Sequence, residues 1–180
     1  MTDSRALSSF ALADGRQITL RPVTPEDQPL IADAIRTASR RTLLHRFFIP
    51  LRGLAPEELR RMLTIDPAHE FCIVGECETG AGRRLVCGAR YVRLTNPEAA
   101  EIAITVHDDF QGRHIGRHLL RLLVAHGRAD GVRTFSADVL AENGPMLHLL
   151  RSIAPQRKSM FSNGVVHVEF DLPDCVESPS

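Results

Sequence analysis

The period of apolar and polar positions changes several times along the chain, and each change marks an element. Two short runs, Phe10-Ala-Leu-Ala and Gln17-Ile-Thr-Leu-Arg, flank Asp14-Gly15. A D-G pair accepts the φ > 0 that tight hairpins need, so Ser8 to Val23 reads as a hairpin. Thr24-Pro25-Glu26-Asp27 has capping-box spacing with Pro at the first helical position, and Leu30, Ile31, Ala34 and Ile35 then recur at helical period. This predicts a helix with a buried stripe. Further helices are expected over Arg40 to Phe48, stopping before Pro50, and over Pro56 to about Leu63, where Glu57 and Glu58 favour the positive N-terminal end.

The middle of the chain reads as strands: Glu70 to Glu78, a turn at Gly80 and Gly82, a return over Arg84 to Leu94, a turn at Asn96-Pro97, and a third strand over Ala100 to Val106. Short connections favour an antiparallel meander. The period then becomes helical from Arg113 to Arg128, with Gly131 as the stop. Thr134 to Leu140 is another strand. Strand, helix, strand in this order is a crossover, which makes 100–106 and 134–140 parallel neighbours. A helix from about Gly144 to Ser152 follows, then two strands around Asn163-Gly164, a strong hairpin signal.

Composition narrows the class. At 180 residues the chain is one domain, taken as 1–173 with a loose polar tail at 174–180. Lys plus Arg and Asp plus Glu are both 22, so no basic excess points to nucleic acid. No apolar run reaches the ~20 residues of a membrane span, and residues 1–10 lack the apolar core of a secretory signal. Cys72, Cys77, Cys87 and Cys175 form no CxxC pair and read as reduced thiols in a cytoplasmic protein. Cys72 and Cys77 fall on opposite faces of one strand and read as small apolar core residues. His114 and His118 share a helix face but lack a third ligand at helical spacing, so they read as solvated side chains and no metal is expected.

The chemistry concentrates in Glu101-Ile-Ala-Ile-Thr-Val-His-Asp-Asp-Phe-Gln-Gly-Arg-His-Ile-Gly-Arg117. A strand ends, a loop with two glycines follows, and a helix begins. The first amides of a helix lack intrahelical partners and carry its positive end, so such a turn can hold a phosphate or pyrophosphate. Arg113 and Arg117 add charge there. A plain tight turn is the alternative.

These residues resemble a known family. Val106-x4-Gln111-Gly-Arg-His-Ile-Gly116 is similar to the acyl-CoA loop of the GNAT superfamily of N-acetyltransferases, Gln/Arg-x-x-Gly-x-Gly/Ala. Ala100-Glu101-Ile-Ala, Leu140-Ala-Glu-Asn143-Gly-Pro-Met146 and Arg41-x4-Arg46-Phe-Phe resemble the GNAT domain of Pat-type bacterial protein lysine acetyltransferases. The resemblance implies a mixed α/β fold: a mostly antiparallel sheet of about seven strands, one parallel splayed pair, and helices on both faces. It implies acetyl-CoA as acyl donor. Ile104, Thr105 and Val106 would pair with the pantetheine arm. The loop from Gln111 through Gly112, Arg113, His114, Ile115 and Gly116 to Arg117 would bind the donor, its amides from Gly112 onward holding the pyrophosphate. Asn143 would also contact the donor.

The chain departs from the family pattern twice. His114 stands where the loop usually has Gly. Leu150 stands where many members carry a Tyr acid seven residues after the Asn, and Ala154-Pro155 replaces the Gly-Phe that follows.

A lysine amine, with pKa ~10.4, needs a base before it can attack a thioester. Glu101 is the candidate, expected to be partly buried among Ala100, Ile102 and Ala103 and so raised in pKa. The alternative pairs it with Arg90 or Arg93. His107 is the rival base, otherwise a surface-loop histidine. A backbone N–H near Val106 would meet the oxyanion, and a CoA thiol near pKa ~8.5 can leave without a strong acid. Ala34 to Pro56 holds five arginines (Arg36, Arg40, Arg41, Arg46, Arg52) and no acid. It forms either a basic rim for an acidic protein surface or a face neutralised by Glu57, Glu58 and Asp66. The expected acceptor is a protein lysine or a small amine. A non-catalytic acyl-CoA-binding regulatory domain remains open, as does monomer or homodimer.

Overall fold

The computed structural model describes residues 6–50, 53–80 and 82–173; Arg52, Cys175 and the proposed tail at 174–180 lie outside them. In chain order the elements are β1 (Ser8–Ala11), β2 (Gln17–Pro22), α1 (Gln28–Thr37), α2 (Arg40–Phe47), α3 (Pro56–Leu63), β3 (Glu70–Thr79), β4 (Gly82–Arg93), β5 (Ala99–Val106), α4 (Ile115–Ala129), β6 (Thr134–Leu140), α5 (Gly144–Ile153), β7 (Lys158–Ser162) and β8 (Val165–Asp171). The strands form one sheet in the order β1-β2-β3-β4-β5-β6-β8-β7, eight rather than about seven. Every pairing is antiparallel except β5 with β6, the neighbours joined by the α4 crossover. The turn glycines take the expected conformation: Gly15 has φ +85°, and Asn163 and Gly164 have φ +49° and +79°.

The capping-box segment divides in two. Pro25–Asp27 is a single 3₁₀ turn, with Thr24 N–H donating to Asp27 Oδ2 at 2.9 Å, and α1 proper starts at Gln28. Asp27 is buried because it also accepts two hydrogen bonds from Arg21, at 2.8 and 2.7 Å, and Arg21 reaches Glu76 at 2.9 Å. Burial pushes the Asp27 carboxyl up, but the Arg21 guanidinium and the Thr24 amide outweigh it and hold it below the usual range. The cluster ties β2, β3 and the entry to α1 together.

The core lies between the sheet and α4. Leu119, Leu120, Leu123 and Val124 are fully buried against Tyr91, Ala100, Ile102 and Phe135, each leucine worth about 1.5–3 kcal/mol in burial. α1 differs from expectation here: its stripe is half-buried, because Ile31, Ala34 and Ile35 line a cavity rather than a filled core. Gly75 has a packing reason, since a Cβ there would sit 2.2 Å from Cys87 Sγ. Cys77 is buried in the apolar core as expected, Cys87 is buried there too, and Cys72 is only half-buried, at the cavity. Among the described residues no helix is long and apolar enough to cross a membrane.

Candidate active site

The site begins where a ladder stops. β5 pairs with β6 at Ala99–Thr134, Ala100–Phe135 and Glu101–Ser136, and there the pairing ends, whereas β5 stays paired with β4 as far as Val106–Cys87. His107 donates its N–H to Val86 O on β4 at 2.8 Å. Strand alternation then turns the amides of Val106 and Ile104 toward the gap. A cleft of about 270 Å³ sits at this divergence, lined by Glu101, Ile104, Asn143, Asp138, Arg46 and Phe48 among others.

Beyond β5 the chain makes the expected turn. Gly112 has φ +72° and His114 φ +60°, ψ 7°, so His114 occupies a left-handed position at the start of α4. That geometry is the physical reason glycine suits this position, because a Cβ in left-handed backbone costs about 1–2 kcal/mol. No described group accepts from the amides of Gly112, Arg113, His114, Ile115 or Gly116, while the Arg117 amide is used by His114 O at 3.0 Å. The side chains behave differently from the backbone. Gln111 turns inward, its Nε2 donating to Val106 O and Thr42 Oγ1, both at 3.0 Å. Arg113 pairs with Asp14 on the β1–β2 hairpin, and Arg16, bound to the same carboxylate, stacks over Phe110 with 4.3 Å to the ring centre. Asn143 caps α5, its Oδ1 accepting from Met146 N at 3.3 Å while the residue lines the cleft.

Four expectations are corrected. Glu101 is exposed, not partly buried, because alternation puts it on the face opposite Ala100 and Ile102, at the open cleft beside α2. It is also not the partner of Arg90 or Arg93: Arg90 binds Glu70, and Arg93 binds Pro97 O and Asp130. His107 is no surface-loop residue. It is 6% exposed, with Nε2 3.1 Å from Thr37 Oγ1 and Nδ1 accepting from the Asp109 amide at 3.4 Å, so it fixes the end of β5 to α1. His118 is not solvated either; it stacks on Phe10 at 3.8 Å, and burial pushes its pKa down, helped by Arg121. His114 is exposed as expected.

Asp108, which the sequence reading did not single out, joins the loop to α2. It accepts from Ser39 N (2.8 Å), Ser39 Oγ (2.6 Å) and Thr42 Oγ1 (2.8 Å). Burial pushes this carboxyl up, but those donors win and hold it below the usual carboxylate range. Three sequence-remote donors make the site invisible to local spacing. Leu150 is fully buried, so the position of the family's Tyr is core here. On the basic rim, Arg36 binds Asp33. The acids expected to neutralise the rim are engaged elsewhere: Glu57 lies near Arg60, Glu58 accepts from the Ala55 amide and Asp66 binds His69.

An open sheet parted at one parallel pair, with unpartnered loop amides beside the gap, defines an acyl-CoA-dependent acyltransferase fold. The chain belongs to the acetyltransferase (GNAT) family, whose model matches residues 38–153. It is 34% identical over 165 residues to the acetyltransferase Pat of Mycolicibacterium smegmatis, covering 88% of this chain and 47% of Pat, so it spans about half that relative's length. An acetyltransferase of Pseudomonas aeruginosa is 28% identical over 159 residues, covering 87% of this chain and 86% of the relative. The GNAT domain of Streptomyces lividans PAT superposes with a TM-score of 0.81 at 26% identity, covering 96% of this chain and 99% of that domain. Family membership implies acetyl-CoA as the donor.

Proposed function

We infer that the protein moves an acetyl group from acetyl-CoA to a primary amine, in the first instance a protein lysine, with Glu101 as general base. The observation that carries this reading is the coincidence of Glu101 with the last β5–β6 pair, at the mouth of the gap the donor's pantetheine arm would enter. The amides of Gly112 to Gly116 would hold the pyrophosphate, and the Val106 and Ile104 amides would face the arm and the developing oxyanion. The amine nitrogen attacks the thioester carbon; the C–N bond forms, the C–S bond breaks, and the amine proton passes to the Glu101 carboxylate directly or through water. With Leu150 in the core, the thiolate leaves without a tyrosine acid, as a thiol of pKa ~8.5 permits. Arg40 and Arg41, exposed on α2 and without acid partners among the described residues, support an acidic surface around the target lysine. Reduced thiols and a CoA donor fit a cytoplasmic setting.

The experiment is a CoA-release assay on Glu101→Gln with lysine-containing protein and small-amine acceptors. Turnover should fall about 10²–10⁴-fold with acetyl-CoA affinity retained; undiminished turnover removes Glu101 from the role.

A further inference from the structure

A second cavity, of about 150 Å³, lies between α1–α3 and the face of β3–β5 that carries Ala103 and Thr105. Its walls are mostly aliphatic, with Ile31, Ile35, Leu43, Met62, Val74 and Leu85 among them. It adjoins the thioester cleft directly, because Arg46, Phe47 and Ala103 line both. An engineered cavity of the same size, ~150 Å³, holds benzene, so this one has room for five or six heavy atoms beyond the reacting carbonyl.

An apolar chain would fill the walls but leave their polar atoms unmatched. Thr105 Oγ1 and Arg90 Nε are buried without a hydrogen-bond partner, and both residues line this cavity. Arg46 is half-buried and sits 5.1 Å from the Phe47 ring; among the described residues no acid forms an ion pair or hydrogen bond with it, and Glu101 acts on it only by charge. Glu70 answers only one of the two guanidinium groups. Burial and the neighbouring Arg90 charge push the Arg46 pKa down, against a weaker opposing pull from Glu101 in the adjoining cleft. A buried unpaired donor costs about 1–3 kcal/mol, more when charged, and a carboxylate is the acceptor that matches a guanidinium and a hydroxyl together.

We propose that this cavity is an acyl subsite for a short acyl chain ending in a carboxylate, of the four-carbon succinyl kind, with Arg46 as its counter-ion and Thr105 Oγ1 as a second donor. The inference rests on the acyl-CoA reading of the adjoining cleft. The chemistry of transfer is unchanged: the C–S bond of the thioester breaks, the C–N bond forms, the base takes the amine proton, and the amide carries a pendant carboxylate.

Calorimetric titration of the purified protein with acetyl-CoA, butyryl-CoA and succinyl-CoA tests it without an acceptor. Succinyl-CoA should bind about tenfold more tightly than acetyl-CoA and more tightly than butyryl-CoA. Arg46→Met should bring the succinyl-to-acetyl ratio to about one and raise butyryl relative to succinyl. Arg46→Lys, which keeps the charge, should retain part of the preference and serves if the Met variant fails to fold. Acetyl-CoA binding with no succinyl preference overturns the subsite alone, as does a preference unchanged in the Met variant. A rise in amine KM in Arg46→Met, with the acyl-CoA ratio intact, would mean that the carboxylate belongs to the acceptor and would overturn the acyl assignment. If none of the three thioesters binds, the acyl-CoA reading fails with it.

Discussion

Along one edge of β5 the ladder to β4 runs from Ala100–Arg93 to Val106–Cys87; along the other, the ladder to β6 stops after Glu101–Ser136. The closed edge is structural. Its residues alternate into a core of Tyr91, Ile102 and Phe135, and its last amide is held by Val86. The open edge leaves backbone amides and a carboxylate facing a cleft, which a fold tolerates only where water or a ligand satisfies them. The same strand thus closes the sheet on one side and leaves an open cleft on the other. The difference also explains why Glu101 and Ala100, one residue apart, have opposite environments: Ala100 is fully buried and Glu101 exposed.

The comparison breaks most sharply at Glu101. Glu101→Gln should cost about 10²–10⁴ in turnover yet leave stability within about 0.5 kcal/mol, because the side chain is exposed and its attraction to Arg46 is not a hydrogen-bonded pair. A melting curve beside the rate assay checks both halves; a collapse in stability would make Glu101 structural. Next is Leu150. If the position is core, Leu150→Tyr should lose about 1–3 kcal/mol in denaturant unfolding and add no new limb to the pH–rate profile. A gain in turnover with a new basic limb would show that the position can reach the leaving thiol.

His114→Gly should raise stability by up to about 1 kcal/mol, the relief of left-handed strain less the added chain entropy of glycine. Acetyl-CoA should bind at least as tightly by calorimetry; a large loss would make the imidazole a ligand contact. The smallest effect concerns acid. The donors from Ser39 and Thr42 hold the Asp108 carboxyl below the usual carboxylate range in the folded protein, so its contribution is fully present above the unfolded value and is lost as pH falls through the folded pKa. Asp108→Asn should therefore show a shallower loss of Tm on acidification below about pH 4 than the parent. Parallel curves would show that the Ser39 and Thr42 contacts do not depend on its charge.

Local spacing carried much of this architecture. The D-G and N-G turns, the α4 crossover and the parallel β5–β6 pair follow from short-range pattern, and so does the loop whose backbone turns left-handed at Gly112 and His114. What spacing could not carry was contact between distant segments. His107 is buried because Thr37 lies 70 positions away, Arg113 turns from the loop because Asp14 lies 99 away, and Asp27 is buried by Arg21 with Glu76 behind it. The exposure of Glu101 was obscured for a related reason: alternation says that Glu101 and Ala100 face opposite ways, but not which of the two faces is left open at that point.

The central claim is that the amides of Gly112 to Gly116 grip the donor's pyrophosphate while the open edge of β5 receives its arm. Amide proton–nitrogen correlation spectra recorded during titration with CoA test this directly. The account predicts the largest shifts at Gly112–Gly116, with Ile104 and Val106 following. A spectrum in which those amides stay still at millimolar CoA would contradict it.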